Sequence, residues 1–281
     1  MELHIVDAGR MKLDGGAMFG VVPKTIWQKT NPADENNLCP IAMRCLLIED
    51  GDRLILIDTG IGDKQDQKFF NHYYLHGETD IAKAIQNAGF STLDVTDVFL
   101  THLHFDHVGG AVKRSGDPDG FELTFPNARY WSNKAHWQWA LEPNARERAS
   151  FLKENILPLQ ESGHLHFVDT EKPSPFPQFD IFYADGHTEK QMIPLIKYKN
   201  RVIVFAADLL PTVGHIPIPY VMSYDTRPLL TLKEREYFFN KAAAGEYVFF
   251  MEHDAAHECC TLRQTEKGPR LQASFPLSEI K

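Results

Sequence analysis

The chain is poor in cysteine and in basic residues. Its 281 residues include four cysteines and no C-x-x-C pair, so neither a disulfide framework nor a cysteine-based zinc site is expected. Lysine and arginine number 29 against 38 aspartates and glutamates, which gives a net charge of −9. Because nucleic-acid binding usually requires a basic surface, no nucleic-acid partner is expected.

Long apolar runs are also lacking. No stretch approaches the roughly 18 apolar residues that a membrane-spanning helix needs, so no membrane partner is expected. The N-terminal residues show no basic segment followed by an apolar run, and we therefore expect no secretory signal and a cytoplasmic location. Hydrophobic residues make up 43% of the chain, which is enough to bury a sizeable core. We predict a single domain over residues 1–281.

Segments typical of strands alternate with segments typical of helices, in two successive halves. This pattern favours an α/β fold built as a layered sandwich. Residues 3–7 are predicted to form a short strand that ends at Gly9. Residues 10–40 are predicted to be a long loop with large apolar side chains, which is typical of a binding loop. The charged run Lys233-Glu234-Arg235-Glu236 is predicted to be the solvated face of a helix.

One short stretch concentrates metal-binding side chains directly after a predicted buried strand, residues 95–100. The stretch reads Thr101-His102-Leu103-His104-Phe105-Asp106-His107. Imidazole nitrogen and carboxylate oxygen are good zinc ligands, and alternate side chains of an extended segment point the same way. His102 and His104 can therefore bind one ion, while Asp106 and His107 can face a second.

Either ion needs ligands from elsewhere in the chain. Three further candidates each follow a predicted strand, where a rigid scaffold commonly presents functional groups. They are His187, Asp208 and His253. Asp208 has two carboxylate oxygens and can bridge both ions.

These residues resemble the metallo-β-lactamase superfamily of metallohydrolases. Its H-x-H-x-D-H motif is present at 102–107, preceded by Asp58-Thr59-Gly60 and followed by Gly186-His187-Thr188, Asp208 and His253 in the family's order. The resemblance implies a four-layer αββα sandwich with a metal site along one edge of its two sheets. It also implies two sets of three ligands and one bridging ligand. One ion is held by His102, His104 and His187, a second by Asp106, His107 and His253, and Asp208 bridges the two.

Metal chemistry then predicts a hydrolase. Two cations lower the pKa of a bridging water, so that a hydroxide attacks the substrate while one cation polarises the substrate oxygen. We expect catalytic roles for Asp208 as the bridge and for Asp106 as a relay of the proton to the leaving group. Asp58 is predicted to orient a ligand histidine. Two zinc ions are expected, although iron, manganese and cobalt also suit such ligands.

Among the branches of the superfamily, the chain resembles the acyl-homoserine lactonases and the related organophosphate hydrolases. The apolar segment at 18–23 is similar to one that helps to form the substrate pocket in that branch. Some of these lactonases have a tyrosine three residues after the bridging aspartate, where this chain has Pro211. The candidate pocket residues are Met18, Phe19, Trp27, His215 and Tyr220, of which the last two are candidates to replace the missing tyrosine.

The sequence therefore predicts the opening of a lactone, most simply an acyl-homoserine lactone, or the cleavage of an ester. A phosphotriesterase acting on organophosphates and a general carboxylesterase remain as alternatives. A non-catalytic metal-binding scaffold is the alternative from another class. The apolar N-terminal loop also suggests a homodimer.

Overall fold

The computed structural model describes residues 1–117, 120–245 and 247–280, and it divides into two compact units. The first unit comprises Met1–Met11 and Met43–Pro175. The second comprises Lys12–Ala42 and the chain from Phe176 onward. The candidate metal ligands His102, His104, Asp106 and His107 belong to the first unit, and His187, Asp208 and His253 belong to the second. The expectation of a single domain stays a prediction.

The first unit contains most of a six-stranded sheet. Its strands are β1 (Glu2–Asp14), β2 (Leu38–Asp50), β3 (Arg53–Ile57), β4 (Asp97–Phe99), β7 (Arg129–Asn133) and β8 (Leu165–Val168), in the order β1-β2-β3-β4-β7-β8. β2 and β3 pair antiparallel as a hairpin, and β3, β4, β7 and β8 pair in parallel. The side chains of β4 are fully buried, as expected for an inner parallel strand.

Short helices and a small hairpin complete the first unit. The hairpin pairs β5 (Val112–Arg114) with β6 (Phe121–Leu123). The helices are α3 (Gln67–Phe70), α4 (Ile81–Asn87), α5 (Phe105–Val108), α6 (Lys134–Leu141) and α7 (Lys153–Glu161), with a 3₁₀ turn at Gly109–Ala111. The Asp80 side chain caps the N-terminus of α4 by accepting a hydrogen bond from the backbone N–H of Ala82.

The second unit has its own six-stranded sheet, in the order β14-β13-β12-β11-β10-β9. The strands are β9 (Phe179–Ala184), β10 (Gln191–Tyr198), β11 (Arg201–Phe205), β12 (Tyr247–Phe250), β13 (Cys259–Thr265) and β14 (Gly268–Phe275). β11 and β12 pair in parallel, and α8 (Pro228–Ala243) lies between them in the sequence. The other neighbouring strands pair antiparallel. 3₁₀ turns lie at Ala207–Leu209, Val213–His215 and Leu277–Glu279.

Three sequence-based expectations need correction. The first strand does not end at Gly9, because β1 continues through this glycine, at φ 98°, to Asp14. Residues 10–40 are also more regular than a loop, since they contain the helices α1 (Gly15–Phe19) and α2 (Lys24–Trp27) and the start of β2. The charged run of α8 is not a solvated face, because Glu234 and Arg235 are buried.

The mixture of helices and two mixed sheets confirms the predicted α/β class. Among the residues that the structure describes, no helix is both long enough and apolar enough to cross a membrane.

Candidate metal centre

In the first unit the H-x-H-x-D-H motif leaves the end of β4 and turns directly into α5. All four candidate ligands of the motif are buried. His102 and His104 point at each other, with Nε2 of His102 lying 3.0 Å from Nδ1 of His104. Two ligands of one zinc ion, each bonded at about 2.0–2.1 Å, lie about 3 Å apart. The spacing of this pair therefore suits a shared cation.

The outer nitrogens of these two rings face oxygen atoms. Nδ1 of His102 lies 3.1 Å from Oγ1 of Thr101, and Nε2 of His104 lies 3.5 Å from Oε1 of Glu147. Oxygen neighbours on the outer nitrogens favour protons there, which leaves a lone pair on each inner nitrogen. Two lone pairs that face each other at 3.0 Å repel unless a proton or a cation lies between them. This donor set fits a metal ion.

Asp58 lies at the centre of a buried hydrogen-bond network in the same unit. Its carboxylate accepts hydrogen bonds from the backbone N–H of Thr101 at 2.8 Å, from Oγ1 of Thr101 at 2.6 Å and from Nδ1 of His107 at 2.9 Å. Nε2 of the His107 ring lies 3.9 Å from Oδ2 of Asp106. Asp58 thus contacts one candidate ligand, His107, directly and a second, His102, through Thr101.

Two glycines allow the motif to lie against the Asp-Thr-Gly turn. A Cβ atom at Gly109 would lie 2.1 Å from the carbonyl oxygen of Ile61, and one at Gly110 would lie 2.1 Å from that of Thr59. The backbone N–H of Thr59 also donates to the carbonyl of His107 at 2.8 Å. Only glycine permits this approach of one backbone to another, so the position of the motif is set largely by main-chain contacts.

The second unit brings three predicted ligands together, with Asp208 between His187 and His253. Nε2 of His187 lies 2.9 Å from Oδ2 of Asp208, and Nε2 of His253 lies 2.9 Å from Oδ1. Each carboxylate oxygen thus faces a different histidine. This is the arrangement that an aspartate needs in order to bridge two ions.

Both candidate ligand histidines of the second unit, His187 and His253, are oriented by hydrogen bonds at Nδ1. Nδ1 of His187 lies 3.0 Å from Oδ1 of the buried Asp225, and Nδ1 of His253 donates to the carbonyl of Ala42 at 2.8 Å. Burial alone would lower the pKa of His187, but Asp208 and Asp225 together raise this pKa to about 10. The carboxylates thus create a negative potential at this ring that favours a positive charge.

The candidate pocket residues of the N-terminal segment are buried rather than exposed. Met18, Phe19 and Trp27 have almost no accessible surface. The Phe19 ring stacks on Trp27 at 5.2 Å between centroids and on His215 at 4.3 Å. The segment is therefore held to the loop that follows Asp208 by an aromatic stack inside the second unit.

His215 belongs to this stack and presents no free ring nitrogen. Its Nδ1 lies 2.7 Å from Oγ1 of Thr212, and its Nε2 donates to the carbonyl of Met18 at 2.8 Å. Burial, with the charge of Arg235, lowers the pKa of His215 to about 3, so the ring is neutral. Tyr220 lies further along the same loop and is only partly buried.

The sequence analysis missed two acidic residues that lie next to candidate ligand histidines, namely Glu147 and Asp225. Glu147 is fixed by Nε1 of Trp139 at 2.7 Å and by Nδ2 of Asn144 at 2.6 Å, and it faces His104. Asp225 reaches His187 from 38 positions away. Neither residue lies in a motif, so no sequence signal could have identified it.

Comparison with known proteins gives one matching family model, described as the metallo-beta-lactamase superfamily, over residues 44–114. A probable metallo-hydrolase from Mycobacterium bovis is 34% identical over 151 residues. That alignment covers 48% of this chain and 45% of the relative, so the chain matches about half the length of this relative.

Several solved structures match nearly the whole chain. A probable metal-dependent hydrolase from Staphylococcus aureus superposes with a TM-score of 0.85 at 27% identity, covering 100% of this chain and 98% of the other. This chain has the metallo-β-lactamase fold. A second protein with this fold is AidC, a dizinc quorum-quenching lactonase in complex with a product. It superposes with a TM-score of 0.79 at 24% identity, covering 98% of this chain and 95% of AidC. The metallo-β-lactamase-like fold predicted from the sequence is confirmed.

Proposed function

We propose that the protein is a dinuclear metallohydrolase that opens a lactone ring, with an acyl-homoserine lactone as the leading substrate. The observation that carries the proposal is common to both units. In four of the candidate histidines, Nδ1 contacts an oxygen atom and Nε2 of the same ring faces another candidate ligand. These histidines are His102, His107, His187 and His253. Histidines that bind metal in proteins have this arrangement.

The proposed ligands are those of the sequence prediction. His102, His104 and His187 would hold one ion, Asp106, His107 and His253 would hold the other, and Asp208 would be shared between the two. Two zinc ions are proposed, in line with the dizinc lactonase of the same fold. Bound divalent cations supply an activated water near neutral pH and polarise the substrate oxygen.

The protein's own groups orient the ligands and move the proton. Asp58 and Asp225 hold protons on Nδ1 of His107 and His187, which leaves Nε2 of each ring as the nitrogen that would bind a cation. Asp106 is the proposed relay of the proton to the leaving group, because its carboxylate is buried next to His107. Such a buried carboxylate can accept a proton from the attacking water and deliver it to the departing alkoxide.

The substrate pocket is proposed to involve residues 18–27 and the loop after Asp208. Four of the candidate pocket residues are buried, so we propose that they support the side chains of the pocket wall and do not contact the substrate. They are Met18, Phe19, Trp27 and His215. Tyr220 remains the candidate for holding the substrate carbonyl, since both ring nitrogens of His215 are already engaged. Replacing Tyr220 by phenylalanine tests this role through the ratio of kcat to KM.

The decisive experiment combines metal analysis with a substrate panel. Purified protein is analysed for bound metal and assayed with acyl-homoserine lactones of graded chain length, aryl esters and phosphotriesters. We expect two divalent ions per chain and a preference for lactones. A preference for phosphotriesters or aryl esters would select the organophosphate hydrolase or carboxylesterase alternative. Bound metal without any hydrolysis would select the scaffold.

A single substitution ties that activity to the proposed centre. Asp208→Ala removes both oxygens that face His187 and His253. We expect this variant to lose at least one metal ion and nearly all hydrolysis, and the same is expected of His104→Ala. Wild-type turnover in either variant would refute the assignment.

A further inference from the structure

Helix α8 sends two adjacent charged side chains into the interior of the second unit. Glu234 and Arg235 are buried, whereas Lys233 and Glu236 on either side are exposed. Neighbouring residues of a helix point about 100° apart, so an adjacent pair can reach two different segments. Burial of unpaired charge is costly, and such residues are therefore expected to make specific hydrogen bonds.

Glu234 binds the backbone of the loop that carries His187. Its Oε1 accepts from the N–H of Asp185 at 2.7 Å, and its Oε2 accepts from the N–H of Gly186 at 3.1 Å. A Cβ atom at Gly186 would lie 2.3 Å from Oγ1 of Thr231 and 2.7 Å from Oε2 of Glu234. The glycine that precedes the proposed ligand is therefore required for the close contact with α8.

Arg235 binds the backbone of the segment that carries Asp208. Its Nε donates to the carbonyl of Leu209 at 2.7 Å, immediately after the proposed bridging ligand. Its Nη1 donates to the carbonyl of Tyr220 at 2.6 Å and to that of His215 at 3.3 Å. One guanidinium group thus fixes both ends of the loop that follows Asp208.

We propose that Glu234 and Arg235 are positioning residues that together set the placement of His187 relative to Asp208. Each binds the main chain within two residues of one of these side chains, and the two anchors are consecutive on a single rigid helix. Losing the hydrogen bonds of either side chain should change the distance between Nε2 of His187 and Oδ2 of Asp208, which is 2.9 Å. This inference rests on the proposed dinuclear function, because it concerns the ligands of that centre.

The test compares Glu234→Gln with Glu236→Gln, the same chemical change at an exposed position of the same helix. In Glu234→Gln one carboxylate oxygen becomes an NH₂ group, which faces a backbone N–H and cannot accept from it. Zinc affinity is measured by chelator competition, and the cobalt(II)-loaded proteins are compared by their visible absorption, which reports ligand geometry. Thermal unfolding of the metal-free proteins is recorded in parallel.

We expect Glu234→Gln to weaken the binding of at least one zinc ion by about 10- to 100-fold and to change the cobalt spectrum. Glu236→Gln should match the wild type in both. Arg235→Lys is the second variant, since a lysine keeps the charge but lacks the fork that reaches three carbonyls. It should show the same loss of zinc affinity.

Wild-type zinc affinity and an unchanged cobalt spectrum in folded Glu234→Gln or Arg235→Lys would overturn the proposal for that residue. So would a loss of thermal stability without any change in metal binding, because that result is expected of a purely structural residue. A wild-type protein that binds no divalent cation would instead overturn the dinuclear function itself. The two failures are therefore distinguishable.

Discussion

Replacing Asp58 by asparagine keeps the shape of the side chain and removes its negative charge. Asparagine has nearly the same size, and it tolerates the left-handed backbone conformation found at this position, φ 58°. The Asp-Thr-Gly turn should therefore survive the change. What changes is the acceptor capacity, because the carboxylate accepts hydrogen bonds from Thr101 and from Nδ1 of His107.

The expected magnitude follows from where the new NH₂ group must lie. The amide oxygen of the asparagine keeps the hydrogen bond from the backbone N–H of Thr101, which places NH₂ at the former Oδ2 position, facing His107. Two donors cannot bond, so the His107 ring moves its proton to Nε2, the nitrogen that we propose as a ligand. Loss of such an orienting partner weakens metal binding by about 10- to 100-fold, or about 1.4–2.7 kcal/mol.

The assay is zinc affinity by chelator competition, with thermal unfolding as the control for folding. Asp58→Ala serves as the contrasting variant. It leaves three buried donors unsatisfied at about 1–3 kcal/mol each, which is a large part of a typical stability of about 5–15 kcal/mol. We therefore expect Asp58→Asn to stay folded with weakened metal binding, and Asp58→Ala to lose stability as well. Unchanged zinc affinity in folded Asp58→Asn would refute the tautomer argument.

Three further predictions concern packing, pH and substrate. Gly110→Ala should lower the free energy of unfolding by about 1–3 kcal/mol in urea titrations, whereas Gly116→Ala, with open space around it, should not. Burial lowers the pKa of Lys64 from 10.5 to about 7, so the unfolded chain binds more protons between these values. The free energy of unfolding should therefore increase as the pH is raised from about 7 to 10.5, by on the order of a few kcal/mol. In Lys64→Met this increase should be smaller, as measured by urea titrations at a series of pH values. Phe19→Leu should raise KM for lactones more than the exposed control Ile26→Ala, and equal KM values would exclude the pocket role of the aromatic stack.

Much of the candidate site could be predicted because its chemistry lies in side chains at short, regular spacing. The segment from His102 to His107 shows both the ligand types and the extended geometry that lets His102 and His104 face each other. Strand ends were also informative, since β4 leads to the motif and β11 to Asp208. The fold class followed from the same pattern of strands and helices.

The supporting contacts could not be predicted, because they join segments that are distant in sequence. Asp225 meets His187 across 38 residues, and Glu147 lies beside His104 with no motif around it. The charged run of α8 was misread for a related reason. Charge alone favours solvent, but loop N–H and carbonyl groups in the interior need partners, and Glu234 and Arg235 provide them.

The close approach at Gly109 and Gly110 has a consequence for how this gene tolerates variation. Both positions are restricted by main-chain atoms rather than by substrate or metal. Consider a saturation library sorted only for the amount of folded protein and the same library sorted for turnover. Glycine should be retained at these two positions equally strictly in both. The proposed ligand His253, whose side chain faces Asp208, should be restricted more strongly in the second library than in the first. Sorting the same library both ways would therefore separate the residues that build the scaffold from those that perform the chemistry.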